Sequence, residues 1–331
     1  MRSTLEPNYL RRLVGIFGTI FAIYVVFLAF LVLVQRQLMY FPDDIRFSPT
    51  QARLEGFTEL NYVSADGIKL HGFFAPPKPN RKLTIVFFQG NAQNLGVRVE
   101  KIKMWRDQGY GVMLATYRGF EKNEGSPSET GLYQDARSAI EAIRQKGVPI
   151  SNMIIYGESL GTGIAVEMAA EMGSVAPPAG VVLEVPYTSI PEVGAYRYPF
   201  VPIFWMLWDR YESVTKMKNI KAPVLILQAG QDKVIPPIFA KKLFEAAQPP
   251  KSMLTNIKAG HMEIYSSADI VKSIFAWMGD IEKVTPLPAA TAAPVAPPAA
   301  QPVIQQSVVQ QAPAPAQASP PAPATKHRRR N

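Results

Sequence analysis

The sequence predicts an α/β fold with one mostly parallel, eight-stranded sheet and helices on both faces. Eight short runs rich in β-branched and aromatic residues recur at 58–63, 69–74, 83–88, 112–117, 153–156, 181–184, 224–228 and 253–257. From the third run onward, segments with helical spacing of apolar residues separate most of them. The first two runs are too close together for a crossover helix, so the sheet begins antiparallel and continues as strand–helix repeats. No repeat of fixed period underlies the pattern.

The elements divide the 331 residues into segments of different character. Residues 1–12 form an N-terminal stub. Residues 13–34 are an uncharged apolar run of 22, which as a helix reaches about 33 Å and suits a hydrocarbon core of about 30 Å. The run is long for a signal-peptide core, and the residues after it lack a small-residue cleavage pattern, so it is expected to be an uncleaved membrane anchor. Arg11 and Arg12 precede it and Arg36 follows, which predicts the N-terminus inside and the remaining chain outside, periplasmic in a bacterium.

Residues 40–283 form the folded domain. In it, 96–108 reads as a helix, and 126–146 does so most clearly. The latter opens Ser126-Pro127-Ser128-Glu129, the spacing of an N-cap, a proline at N1 and a glutamate at N3. Residues 270–278 form a last amphipathic helix. Residues 189–220, between the sixth and seventh strands, are rich in aromatics (Tyr196, Tyr198, Phe200, Phe204, Trp205, Trp208 and Tyr211) and are expected to form a cap. That cap either lines an apolar acyl pocket or presents a face that dips into the bilayer, or else it packs on its own domain. Residues 285–331 hold 11 Pro and 13 Ala, so little can be buried and an extended tail with a basic tip is expected, its partner unspecified.

Composition narrows the chemistry. The absence of cysteine excludes a disulfide scaffold, a thiol nucleophile and an Fe–S site. The formal charge of +9 is mostly terminal: Arg2, Arg11 and Arg12 against Glu6 give +2, and Lys326, Arg328, Arg329 and Arg330 give +4. The +3 left on the domain is no footprint for nucleic acid.

The most informative motif is Gly157-Glu158-Ser159-Leu160-Gly161, between the strand at 153–156 and a helical pattern at 161–170. A serine held on a sharp strand-to-helix turn needs small residues two positions to either side. Its hydroxyl then stands above the strand ends with a helix N-terminus beneath it. Such a serine needs a base. Of the three histidines, His327 lies in the tail and His71 lies within a strand near the start of the sheet, so His261, in the loop after the last strand, is the candidate. Asp232, in the loop after 224–228, is the candidate to orient the imidazole, with Glu184 and Asp209 as fallbacks. The order Ser159, Asp232, His261 is that of an α/β-hydrolase. The backbone N–H groups of Leu160 and of Asn91, in the loop after the third strand, are the expected oxyanion donors.

Four blocks resemble one group of that superfamily, the membrane-anchored Bem46-like serine hydrolases and their depalmitoylase-like animal relatives. They are Tyr40-Phe41-Pro42; Phe88-Gln89-Gly90-Asn91-Ala92; Tyr117-Arg118-Gly119-Phe120 with 125–129; and the serine motif with Glu184-Val185-Pro186-Tyr187-Thr188-Ser189. The resemblance covers 40–283 and implies the same triad and hydrolysis of a carboxylic ester or thioester through an acyl-enzyme. It departs at Gln89, where the group carries His. No cofactor or metal is expected, and the lipid bilayer and an acyl substrate are the expected partners. A serine peptidase with the same triad, and a non-catalytic tethered interaction protein, are the alternatives.

Overall fold

The computed structural model describes residues 7–43, 45–92, 95–173 and 176–285. The tail, apart from Thr285, and the first half of the stub lie outside them. The chain opens with helix α1 (Pro7–Met39), which extends past both ends of the apolar run. Residues 10–39 are long and apolar enough to cross a membrane.

All eight strands expected from the sequence form, in one sheet: β1 (Thr58–Val63), β2 (Lys69–Ala75), β3 (Thr84–Phe88), β4 (Gly111–Ala115), β5 (Met153–Glu158), β6 (Gly180–Glu184), β7 (Val224–Ala229) and β8 (Lys251–Asn256). Their order is β1-β2-β4-β3-β5-β6-β7-β8. β2 pairs antiparallel with β1 and β4, and the remaining pairs are parallel. β3, β4, β5 and β6 are buried along their whole length, as a parallel sheet covered on both faces requires.

The helices are α2 (Val99–Asp107), α3 (Glu129–Gln145), α4 (Leu160–Met172), α5 (Ile190–Arg197), α6 (Ile203–Met206), α7 (Ser213–Lys216), α8 (Pro237–Ala246) and α9 (Ala268–Val284). α3, α4 and α8 pack with one core cluster, holding Val86, Ile140, Ile164, Ile226 and Leu243; α2 and α9 pack with the other, holding Phe87, Trp105, Tyr156 and Met278. α5, α6 and α7 fall in the segment expected to form a cap.

One local expectation is corrected. The N-cap of α3 is Ser128, whose hydroxyl accepts from the Gly131 N–H at 3.1 Å, rather than Ser126. Glu129 therefore stands at N1 and does not close a capping box. Its carboxylate accepts instead from the Tyr133 hydroxyl and the Arg210 N–H, and its own N–H donates to Asp209.

Candidate active site

Parallel strands all deliver their C-terminal ends to one edge of the sheet, and the candidate residues lie in the loops that leave it. Ser159 follows β5 directly and opens α4. Its φ is +51°, a conformation that disfavours any side chain. The turn is fixed from several sides. The Ser159 N–H donates to the Glu184 carbonyl at 2.9 Å, and the Thr162 hydroxyl and N–H both donate to the Ser159 carbonyl. The two glycines are sterically required. A Cβ on Gly157 would strike the Gly161 carbonyl, and one on Gly161 would strike the Phe88 and Gln89 carbonyls.

The structure brings Ser159, His261 and Asp232 into one hydrogen-bonded chain. The Ser159 Oγ lies 2.9 Å from His261 Nε2, and His261 Nδ1 lies 2.7 Å from Asp232 Oδ2. Asp232 is itself held: its Oδ1 accepts from the N–H groups of Val234 and Ile235 at 2.7 and 2.8 Å. The His261 loop is braced by Gln231 N–H to the Ala259 carbonyl and by Gly260 N–H to the Glu263 carboxylate. The fallback acids are committed elsewhere. Glu184 accepts from Tyr156 and Lys101, while Asp209 accepts from Arg36, Tyr40 and Glu129. His71 is buried in β2, 4.0 Å from Glu121; its neighbour Gly72 pairs with Ala115 at the end of β4, so it lies near the same edge but three strand positions from the β5 that carries Ser159.

Asn91, Leu160 and Ser159 border one cavity of about 760 Å³. The loop carrying Asn91 is tied to the end of α1. Asn91 Nδ2 donates to the Met39 carbonyl at 2.7 Å, and the Phe41 N–H donates to the Asn91 carbonyl at 3.0 Å. Gln89 does not border the cavity. Its side chain is fully buried, with neither polar atom partnered among the described residues, while its carbonyl accepts from the Tyr117 hydroxyl at 3.0 Å.

A buried ion network lies behind the serine, and its two cations, Arg98 and Lys101, were not singled out from the sequence. Arg98 and Lys101 both meet Glu158, and Lys101 also meets Glu184 at 2.7 Å. Burial pushes the Glu158 carboxyl up, but the two cations outweigh it and leave it below its ordinary value. Tyr156, buried and beside Glu184, is pushed well up and stays a neutral donor to it. Two cations and two carboxylates thus face one another in a buried site. The available signal was Arg98 and Lys101 three residues apart in a segment of otherwise amphipathic spacing, with no cue to their partners.

Among the described residues no group of three or more His, Asp or Glu side chains is arranged to hold a metal ion. The geometry supplies a hydroxyl, a base hydrogen-bonded to it, and a buried carboxylate on the base's far nitrogen. That set is suited to nucleophilic attack on a carbonyl carbon.

The family model for serine aminopeptidase, S33, matches residues 79–208, a span that includes Ser159 and ends before Asp232 and His261. An uncharacterised protein of Mycobacterium tuberculosis is 34% identical over 229 residues, covering 69% of this chain and 80% of the relative. The lysophosphatidylserine lipase ABHD12 of Danio rerio is 35% identical over 186 residues, 51% of this chain and 48% of that protein. Among solved structures, an esterase of Pyrococcus furiosus superposes with a TM-score of 0.58 at 16% identity, over 74% of this chain and 97% of that one.

Proposed function

This chain belongs to the α/β-hydrolase superfamily, and from that premise we propose that it is a membrane-anchored serine hydrolase of acyl esters or thioesters. The observation that carries the reading is the hydrogen-bonded chain Ser159–His261–Asp232 at 2.9 and 2.7 Å. Ser159 Oγ attacks the carbonyl carbon as His261 Nε2 takes its proton. Asp232 holds the imidazole through Nδ1 and balances its positive charge. The N–H groups of Asn91 and Leu160 receive the oxyanion. Collapse of the tetrahedral intermediate breaks the bond to the leaving oxygen or sulfur, which takes the proton from His261. Water then gives a proton to His261 and attacks the acyl-Ser159 carbonyl, releasing the acid and restoring the serine.

Ester or thioester rather than amide is favoured by the cavity at Ser159, whose walls are mainly Leu, Val, Ile, Met and Phe. The similarity to a lysophosphatidylserine lipase leans the same way. The family model named for an aminopeptidase favours a second reading, cleavage of peptides by the same triad. Helix α1 serves as the anchor, with its N-terminus inside by the bias of Arg11 and Arg12. Turnover of matched acyl ester, acyl thioester and peptide substrates by the full-length protein in proteoliposomes tests the choice. Ester or thioester turnover that Ser159→Ala abolishes is expected. Turnover of the peptide alone would select the second reading.

A further inference from the structure

The cap does not stand apart from the anchor helix. Residues 198–208, Tyr-Pro-Phe-Val-Pro-Ile-Phe-Trp-Met-Leu-Trp, carry no charge and lie between Arg197 and Asp209. They run beside the C-terminal half of α1. The Tyr24 hydroxyl donates to the Phe200 carbonyl at 2.6 Å, Gln35 Nε2 donates to the Met206 carbonyl at 3.3 Å, and the Trp208 N–H donates to Gln35 Oε1 at 2.8 Å. Arg36 then closes the row on Asp209 at 2.8 Å, with Trp208 under its guanidinium.

Depth follows from the helix rise. Arg12 and Arg36 bracket the apolar run, so Gln35 and Arg36 mark one boundary of the hydrocarbon. Tyr24 lies eleven residues below Gln35, about 16 Å, which is close to half of a core about 30 Å thick. A cap tip touching Tyr24 therefore reaches toward the bilayer midplane. Its surface fits that place, since Phe200 and Trp205 are each 87% exposed. Much of its backbone is satisfied as well. Pro199 and Pro202 have no N–H to satisfy. The N–H groups of Val201, Ile203, Trp205 and Leu207 donate within the segment, and the side chains of Tyr24, Gln35 and Arg210 take up the Phe200, Met206 and Phe204 carbonyls. Backbone at membrane depth is tolerated only when satisfied in this way.

Between this segment and α1 lies the cavity that reaches Ser159. Phe27, Leu31 and Leu38 of the anchor form one wall, and Val201, Met206 and Leu207 of the cap form another. We propose that residues 198–208 are embedded in the same leaflet as the C-terminal half of α1. The cavity between them takes the long acyl chain of a lipid drawn sideways from that leaflet. The anchor is then a wall of the acyl site as well as a tether. From Phe27 to Met39 that wall is about 18 Å long, the scale of a long fatty chain rather than an acetyl group. The acyl half of this proposal rests on the hydrolase reading above; the seating of the cap does not.

The test uses full-length protein in phosphatidylcholine vesicles with or without lipids brominated along their acyl chains. The emission that wild type has and Trp205→Phe lacks should be quenched by the brominated chains. Unquenched Trp205 emission overturns the leaflet seating, whether the patch faces water or is covered by a protein or a second copy. The second arm follows a homologous series of fatty acyl esters placed in the same vesicles. Leu31→Trp should lower the ratio of long-chain to short-chain kcat/KM by about tenfold or more. Val26→Trp, at a site 68% exposed on the same helix and outside the cavity lining, should keep that ratio. An unaltered ratio in Leu31→Trp overturns the acyl assignment. Absence of Ser159-dependent hydrolysis and of fluorophosphonate labelling in wild type would count against the hydrolase reading, and the acyl assignment would fall with it.

Discussion

Arg98 donates through Nε to the carboxylate of Glu158, the residue before Ser159, at 2.7 Å, and both side chains are almost wholly buried. The same guanidinium reaches the Ala92 carbonyl at 3.4 Å, so one cation links the strand end that carries the serine to the loop that carries Asn91. Removing one partner of a buried pair strands the other charges. Glu158→Gln removes the carboxylate that Arg98 and Lys101 share and should cost about 3–5 kcal/mol of stability in a denaturant titration. Glu141→Gln, which breaks an exposed pair with Arg144, should cost no more than about 1 kcal/mol. Equal small losses for both would mean that the buried network contributes little.

The triad makes a graded prediction. Ser159→Ala removes the nucleophile and should lower kcat on a turned-over ester by about 10⁶-fold. Asp232→Asn keeps the shape but spoils the tautomer that Nδ1 needs, and should lower it by about 10⁴-fold. Steady-state hydrolysis measures both. Near-wild-type turnover in either variant would remove that residue from the mechanism.

Gly161 tests the architecture of the turn rather than its chemistry. Its missing Cβ is where the Phe88 and Gln89 carbonyls lie, so Gly161→Ala must push the serine turn and the Asn91 loop apart. A loss of about 1–3 kcal/mol is expected, together with loss of covalent labelling at Ser159. A stable, fully labelled Gly161→Ala protein would show that the contact yields without consequence.

Glu121 predicts a pH dependence of stability. Burial pushes its carboxyl up to about 7, against the Leu95 and Phe47 N–H groups that hold it down. The folded chain therefore binds this proton more tightly than the unfolded chain. The resulting stability is fully present below about pH 4.5 and is lost as pH rises to about 7. Against Glu121→Gln, wild type should lose of order 3 kcal/mol across that window and nothing further above it. Burial favours the neutral form of His71, 4.0 Å away, and making the comparison in a His71→Gln background removes its titration from both curves. Parallel stability curves would contradict the assignment.

The eight strands were legible because each is a short run whose residue types suit a buried pleat, and periodicity carries that information locally. Ser159, Asp232 and His261 were legible for a different reason: each sits in a loop directly after a readable strand, so chain order alone placed them at one edge. The cap of α3 was misplaced because Ser126 and Ser128 are both plausible caps. Tertiary contacts of Glu129 with Arg210 and Tyr133 decide between them. The pairing of Tyr24 with Phe200 spans 176 residues and leaves no local trace. The uncharged stretch between Arg197 and Asp209 was visible, but it did not say whether it covered the domain or entered a bilayer. Nothing in the sequence around Arg98 and Lys101 points to Glu158 and Glu184, which lie 60 and 83 residues further on and meet them only in the fold.

The most direct measurement is fluorophosphonate labelling of the full-length protein in detergent, with the adduct located by peptide mass spectrometry. Wild type should be labelled at Ser159, Ser159→Ala should be unlabelled, and His261→Ala should be labelled far more slowly. Folded wild-type protein that stays unlabelled, or labels at another residue, would contradict an activated Ser159 and with it the proposed hydrolase.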